Sequence, residues 1–141
     1  MEYDFIGHYT HSLDSKNRVA IPAKFRSQIK DGKVVVTKGF DGCLSVYPLE
    51  EWEKLREDRI ARLDPMTSRR DRDQMRTLLS GATHWEVDKQ GRIGLTADHL
   101  KRSKITKEVV FTGMGDSFEV WAASVWEEYE AESMERERAE Q

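Results

Sequence analysis

Residues 13–22 read LDSKNRVAIP, and residues 87–95, farther along the chain, read VDKQGRIGL. Each segment places an aspartate, three intervening residues and an arginine between apolar residues that favour strands. Asn17 and Gly91 stand at equivalent places, and both residue types tolerate a positive φ, which indicates a tight turn. The chain therefore presents the same strand–turn–strand pattern twice.

The likeness between the two segments extends over about fifty residues. A shift of 74 residues aligns Gly7 with Gly81, and the shift becomes 75 after one residue is inserted in the second copy. The shift returns to 74 where Trp52 meets Trp126. Self-similarity that keeps its order in this way indicates the duplication of one structural unit.

The sequence pattern of each copy predicts two strands, then a short helix and then a hairpin. β-Branched and aromatic residues in partial alternation favour the strands, and glycines mark the hairpin turns. The predicted strands cover residues 5–13, 18–21, 33–38 and 43–47 in the first copy and residues 83–87, 92–95, 108–112 and 117–121 in the second.

A unit of this size, with four short strands, buries too little apolar surface to be stable alone. Two copies in one chain can pair about a pseudo-twofold axis and share a core. The predicted fold class is therefore mainly β with short helices (α+β), built from tandem βαββ repeats. The predicted divisions are a first repeat (5–53), connecting helices (54–78), a second repeat (79–127) and an acidic C-terminal tail (128–141).

Local signals predict where the helices begin. Pro22 suits the first helical position of the short helix in the first repeat, and Thr96 suits the N-cap of its counterpart. Ser68 and Asp71 resemble a capping box that opens the second connecting helix. A terminal helix is expected to fray through the glutamate-rich tail.

The formal net charge is −3, but charge is distributed unevenly along the chain. Residues 127–141 hold seven glutamates against two arginines, whereas the stretch from Lys16 to Lys38 holds seven basic residues against Asp31 alone. A basic stretch beside an acidic tail is compatible with nucleic-acid binding, although such clusters are more often solvated surfaces. Charge alone therefore does not decide the function.

The two turns are the strongest candidates for a binding site. Asp14 and Asp88 can accept hydrogen bonds from backbone amides two or more residues on and so fix each turn. Arg18 and Arg92 would then project a planar guanidinium suited to guanine edges or phosphates, with Lys16 as a nearby phosphate-directed charge. The alternative is an internal Asp–Arg ion pair in each turn.

A second group of basic residues follows the first turn. Lys24, Arg26 and Lys30 have helical spacing and could follow a DNA backbone without reading its sequence, or form a solvated helix face. The second copy is weaker at this place because Asp98 replaces a basic residue. The arginines at 69–76 alternate with aspartates, which favours intrahelical ion pairs.

The sequence carries no motif for catalysis, a metal or a membrane span. It contains no Gly-rich phosphate loop, nucleophile elbow or histidine-based metal motif, and no apolar run long enough to cross a bilayer. His8 and His11 would point to opposite faces of a strand, which is poor for chelation. The single cysteine, Cys43, and a start without a secretion signal lead us to expect a reducing cytoplasm.

Residues 13–26, LDSKNRVAIPAKFR, resemble the first signature of the MraZ family, within the AbrB-like group of swapped-hairpin DNA binders. Residues 88–93, DKQGRI, resemble its second signature, and residues 39–48 resemble its first hairpin. The resemblance implies a double-split β-barrel, ring-like homo-oligomers and binding to repeated promoter boxes. It also implies repression of the division and cell-wall gene cluster, including the regulator's own gene.

The resemblance assigns the family's loop arginine to Arg18, with Lys16 beside it, and to Arg92 in the second repeat. Asn17 stands where glycine is usual in the family. Gly94 and the residues after it replace the usual proline-led stretch, so the second turn departs from the family pattern more than the first.

The leading interpretation is a cytoplasmic, nucleoid-associated regulator that binds double-stranded DNA in a sequence-specific way. The alternative is an antitoxin-like interaction module, for which the acidic segment 127–141 is the best support. No residues suggest an enzyme, a cofactor, a metal or a small-molecule substrate. The residues assigned to DNA contact are Lys16, Asn17, Arg18, Lys24, Arg26, Lys89 and Arg92, with Asp14 and Asp88 structuring the turns.

Overall fold

Eight strands and five helices follow one another in the computed structural model of the chain, which describes residues 2–141. The strands are His8–Ser12 (β1), Arg18–Ala20 (β2), Lys33–Lys38 (β3), Leu44–Pro48 (β4), Thr83–Glu86 (β5), Arg92–Gly94 (β6), Glu108–Gly113 (β7) and Phe118–Ala122 (β8). The helices are Ala23–Arg26 (α1), Leu49–Asp58 (α2), Arg69–Ser80 (α3), Ala97–Ser103 (α4) and Ala123–Glu140 (α5), with a 3-10 turn at Ile60–Arg62. The predicted α+β class is confirmed, whereas closure of the strands into a barrel stays a prediction.

The strands form a six-stranded antiparallel sheet in the order β1-β7-β8-β4-β3-β5 and a separate antiparallel pair of β2 and β6. Strand β1 of the first repeat pairs with β7 of the second, and β5 of the second repeat pairs with β3 of the first. Strands β1, β3 and β4 of the first repeat correspond to β5, β7 and β8 of the second. Exchanging each strand for its counterpart gives the same order, read from the opposite edge of the sheet. Each repeat therefore supplies the outer strand of the other.

Strand β3 divides its apolar side chains between two cores. Val34 and Val36 belong to the main core, whereas Val35 packs with Trp52 and Leu78 in a second cluster. Successive side chains of a strand point to opposite faces of the sheet, so a strand covered on both faces needs an uninterrupted apolar run. The three consecutive valines meet that requirement.

The main core draws on both repeats. The ring of Phe118, which is fully buried, lies with its centroid 5.1 Å from that of Phe5 and 5.0 Å from that of Phe25. Its third aromatic neighbour is Phe111, at 6.0 Å. Phe5 and Phe25 come from the first repeat, and Phe111 and Phe118 come from the second. The prediction that the two copies share a core is therefore confirmed.

Two predicted boundaries differ from the structure for local reasons. The strand predicted over 5–13 begins at His8, because Gly7 adopts a φ of 87° that interrupts the extended backbone. Phe5 forms only an isolated bridge to the turn between β7 and β8. Pro22 precedes α1 as its N-cap residue, so the prediction that it occupies the first helical position is wrong.

The helix caps partly follow the prediction. Thr96 caps α4 as expected, since its hydroxyl accepts a hydrogen bond from the amide of His99 at 3.1 Å and the His99 ring accepts one from the Thr96 amide. At α3, Ser68 accepts a hydrogen bond from the amide of Asp71 at 3.1 Å. The Asp71 carboxylate accepts from the amide of Asp64 instead of Ser68, so the reciprocal box predicted there is wrong.

Helix α5 packs only its first turns on the sheet, through residues that include Trp126 and Tyr129. It continues to Glu140, so the predicted fraying of the glutamate-rich tail is wrong. Glutamate is a good helix former, and Arg138 pairs with Glu135 one turn away at 3.5 Å. Neither α5 nor any other helix within residues 2–141 is long and apolar enough to cross a membrane.

Candidate nucleic-acid interface

Pairing of β2 with β6 brings the two Asp–Arg turns side by side. Arg18 lies opposite Gly94 across this two-stranded ribbon. Beyond the strands the pairing continues, because the amide of Leu95 donates to the carbonyl of Asn17 at 2.9 Å. Turns that are 74 residues apart in the sequence therefore form one surface at the ribbon.

The aspartate of each turn binds the backbone of its own turn. Asp14 Oδ1 accepts hydrogen bonds from the amides of Lys16, at 2.8 Å, and Arg18, at 2.9 Å. In the second turn Asp88 Oδ1 accepts the equivalent pair, at 2.9 and 2.8 Å. Two amides held by one carboxylate oxygen restrict the path of the turn, which is the arrangement of an Asx-turn.

The same hydrogen bonds favour the ionised form of both aspartates. The amide of Arg18 is the largest cause that lowers the pKa of Asp14, and the amide of Arg92 has this effect on Asp88, in each case against a smaller opposing effect of desolvation. Both side chains are therefore carboxylates at neutral pH. They act as acceptors only, for the amides and for the arginines of the turns.

Both arginines form ion pairs with these carboxylates, as the alternative interpretation of the sequence expects. Arg18 Nε lies 3.0 Å from Asp14 Oδ2, and Arg92 Nε lies 2.9 Å from Asp88 Oδ2. A third ion pair crosses between the turns, from Arg92 Nη1 to Asp14 Oδ2 at 3.2 Å. The side chains of Arg18 and Arg92 nevertheless remain 36% and 24% exposed.

Positive φ angles occur at equivalent places in the two turns, 59° at Asn17 and 77° at Gly91. The turns differ in what covers them. A Cβ atom built on Gly91 would lie 2.0 Å from Nη1 of Arg26, so the Arg26 guanidinium lies directly on the second turn. Gly91 is buried, whereas Asn17 is exposed. Glycine at 91 thus allows both the backbone conformation and the seating of Arg26.

Replacing Gly91 by alanine is expected to destabilise the protein, because the new methyl group is strained at positive φ and displaces Arg26. The strain alone costs about 1–2 kcal/mol. Gly42→Ala is the matched control, since Gly42 has a φ of 89° and nothing within 4 Å of a built Cβ. Urea denaturation should give a larger loss of unfolding free energy for Gly91→Ala than for Gly42→Ala. Equal losses would show that the exposed Arg26 side chain moves off the turn at no measurable cost.

The remaining predicted contact residues lie exposed on or next to the turns. They are Lys16, Asn17, Lys24 and Lys89. Two other members of the basic stretch face acidic groups elsewhere: Lys38 pairs with Asp98 at 3.7 Å, and Lys30 lines a cavity together with Asp31 and Glu50. Lys38 is therefore neutralised by an ion pair, whereas Lys16, Lys24, Lys30 and Lys33 are exposed and form no ion pair within residues 2–141.

The arginine cluster of α3 and the histidine pair of β1 both include a side chain that contacts another group of the protein. Arg76 pairs with Asp73 at 3.4 Å within α3, which confirms the intrahelical pairing expected there. A ring nitrogen of His11 lies 2.6 Å from the carbonyl oxygen of Ala20 and ties β1 to β2. Within residues 2–141, no group of three or more histidine, cysteine or acidic side chains is placed to hold a metal ion.

Two side-chain contacts were not predicted from the sequence, that of Arg92 with Asp14 and that of His11 with Ala20. Both cross from one strand or turn to another, so neither is visible in local spacing. The internal repeat offered one indication of the contact between Arg92 and Asp14. Equivalent strands of a duplicated unit commonly meet at the axis that relates the copies, which would bring the two turns together.

Comparison with known proteins shows the class of protein to which this chain belongs. A protein of Lactobacillus johnsonii is 44% identical over 131 residues, which cover 93% of this chain and 90% of the relative. A protein of Thermoanaerobacter pseudethanolicus is 46% identical over 124 residues, covering 88% and 85%, and one of Clostridium acetobutylicum is 41% identical over 131 residues, covering 93% and 90%. All three bear the name "Transcriptional regulator MraZ", so the class is that of transcription regulators.

The family follows from a second comparison. The family model described as "MraZ protein, putative antitoxin-like" matches residues 5–74 and 78–141. Together these ranges include both turns, all the strands and all the helices except a few residues within α3. The chain belongs to the MraZ family, and the resemblance found in its two signatures is confirmed.

Proposed function

We propose that this protein regulates transcription by binding duplex DNA through the surface that the two turns form. Arg18 contacts base edges, and Lys16, Asn17, Lys24 and Lys89 contact the sugar–phosphate backbone around it. Arg26 and Arg92 complete the basic surface. Asp14 and Asp88 hold the turns in place.

The observation that carries the proposal is the set of contacts that the Arg18 guanidinium makes. Its Nε is held by Asp14 at 3.0 Å, and within residues 2–141 the hydrogen bonds of its guanidinium to protein run through Nε alone. The two Nη nitrogens therefore remain for a ligand, and a guanidinium presents such a pair to O6 and N7 of guanine. A side chain fixed at one end and unoccupied at the other is oriented before it binds, which lowers the entropic cost of binding.

Several copies of the chain act together on DNA. One small turn surface per chain supplies limited affinity, but a ring-like homo-oligomer presents that surface repeatedly, and linkage of weak contacts raises the overall affinity. Such an assembly matches repeated promoter boxes ahead of the division and cell-wall gene cluster. Binding there represses the cluster and the regulator's own gene. The two repeats of each chain close into a double-split β-barrel that holds the turns rigid.

Footprinting of the purified protein on the region upstream of its own gene, at two salt concentrations, tests this function. We expect protection of regularly spaced boxes, and we expect protection to weaken at the higher salt because counterions compete for the phosphates. A scrambled duplex of the same composition is the control. Absence of protection, together with capture of one stoichiometric protein partner through α5, would instead support the interaction-module alternative.

Lys24 provides a test of the phosphate contacts. Lys24→Ala should weaken binding to specific and scrambled duplexes by the same factor and reduce the slope of log affinity against log salt by about 0.9 for each phosphate that Lys24 neutralises. Lys54→Ala is the control, because it removes the same charge from α2, near the β7–β8 hairpin tip and away from the turns. A selective loss of affinity for the specific duplex would show that Lys24 reads bases instead.

A further inference from the structure

We infer that the two turns have different roles: Arg18 contacts DNA, whereas Arg92 is a positioning residue that acts on the first turn through Asp14. This inference rests on the proposed function, which assigns the turn surface to duplex DNA. It departs from the symmetry of the sequence, in which Arg18 and Arg92 occupy equivalent positions of the repeat.

The ion pairs break that symmetry. Arg92 binds Asp88 through Nε at 2.9 Å and Asp14 through Nη1 at 3.2 Å, so two of its three nitrogens are occupied. Within residues 2–141, Arg18 has no corresponding bond to Asp88. Both Nη nitrogens of Arg18 are therefore free for bidentate recognition of guanine, whereas one Nη nitrogen of Arg92 already donates to Asp14, which limits how its guanidinium can meet a base edge.

The side chains that lie over each turn also distinguish the two turns. The second turn lies under the Arg26 guanidinium, at the buried Gly91. The first turn has an exposed Asn17 at the equivalent place, and Lys16 beside it is exposed as well. The backbone of the first turn is therefore open to a duplex, whereas at the second turn a duplex would meet the exposed Arg26 guanidinium first.

The bond from Arg92 gives Asp14 two functions. Oδ2 of Asp14 accepts from both Arg18 Nε and Arg92 Nη1, while Oδ1 holds two amides of the first turn. Arg92 thus fixes the carboxylate that in turn orients Arg18. Loss of Arg92 leaves the first turn attached to its own aspartate but frees the plane of that carboxylate, so Arg18 is oriented less well.

Arg92→Lys tests this role, because lysine keeps the charge but lacks the planar fork that joins two carboxylates. By fluorescence anisotropy, we expect the affinity for a duplex from the upstream region to fall about tenfold, the size of a typical coupling between contacting residues. The affinity for a scrambled duplex should not change. Arg102→Lys, on the exposed face of α4, is the matched control. Unchanged affinity for both duplexes would overturn the inference, since lysine can replace arginine at a phosphate.

A double-mutant cycle gives a second, independent measure. In an Asp14→Asn background, Arg92→Lys should cause no further loss of specific affinity, because Arg92 acts through Asp14. Additive losses would mean that Arg92 contacts DNA itself. Interference by guanine N7 methylation should lose a guanine with Arg18→Lys and keep every guanine with Arg92→Lys. The loss of a guanine with Arg92→Lys would likewise overturn the inference.

These outcomes separate the inference from the function on which it rests. If the wild-type protein bound upstream and scrambled duplexes equally, the proposed function would fail and with it the role of Arg92. If the wild-type protein discriminated between them and Arg92→Lys did not alter the discrimination, only the positioning role would fail. Thermal melting of each variant checks that the fold is intact.

Discussion

Replacing Arg18 by alanine is expected to lower the affinity for the upstream duplex about 100-fold. A bidentate contact to a base edge is worth about 1–3 kcal/mol of discrimination, and losing two contacts of about 1.4 kcal/mol each, one in each of two engaged protomers, multiplies to this factor. Affinity for a scrambled duplex should fall only a few-fold. Anisotropy titrations at one fixed salt concentration measure both quantities.

The fold of this variant should survive, because the first turn keeps other support. Asp14 Oδ1 still holds the two amides, and Arg92 still pairs with Oδ2. Arg102→Ala serves as the control, since Arg102 lies in the region of the β3–β4 hairpin tip, beside Phe40 and Asp41. Equal losses in the two variants would mean that general charge, and not a fixed contact from Arg18, determines specificity.

Replacing Phe118 by alanine is expected to lower the free energy of unfolding by about 3–5 kcal/mol, the usual cost of removing a fully buried phenyl ring. Phe118 is 0% exposed and lies among aromatic rings from both repeats. Because the core is shared, the variant should still unfold in one cooperative transition. Urea denaturation followed by tryptophan fluorescence and by circular dichroism measures both properties.

Met114→Ala is the control for this variant, because Met114 belongs to the same hairpin and is 59% exposed. Its free energy of unfolding should stay within about 0.5 kcal/mol of the wild type. Two separate transitions in Phe118→Ala would contradict the shared core and would indicate that each repeat folds as a unit. A loss below about 1 kcal/mol would contradict the packing described around the ring.

Much of the fold follows from local pattern. The duplicated spacing, the alternation of apolar residues and the positive-φ residues predict the strands and turns in their correct order, since each depends only on neighbours in the chain. The consecutive valines of β3 predict a strand buried on both faces. The helix cap at Thr96 follows from its hydroxyl and its place before α4.

The rest depends on partners that local pattern does not specify. Alternation predicts that β1 is a strand, but not that it pairs with β7 of the other repeat. The spacing of Asp14 and Arg18 predicts their ion pair, whereas the bond from Arg92 depends on the register of β2 against β6. The position of the Arg26 guanidinium depends on residue 91, 65 residues away, being a glycine, which has no Cβ atom.

The exchange of outer strands has a consequence for synthesis on the ribosome. When the first half of the chain has emerged, β1 has no partner for its edge until residues 108–113 follow, and β3 lacks β5. A nascent chain of this protein therefore cannot complete its sheet half by half. The native arrangement requires both repeats, and until the second has emerged the unpaired edges of β1 and β3 are open to pairing with other chains.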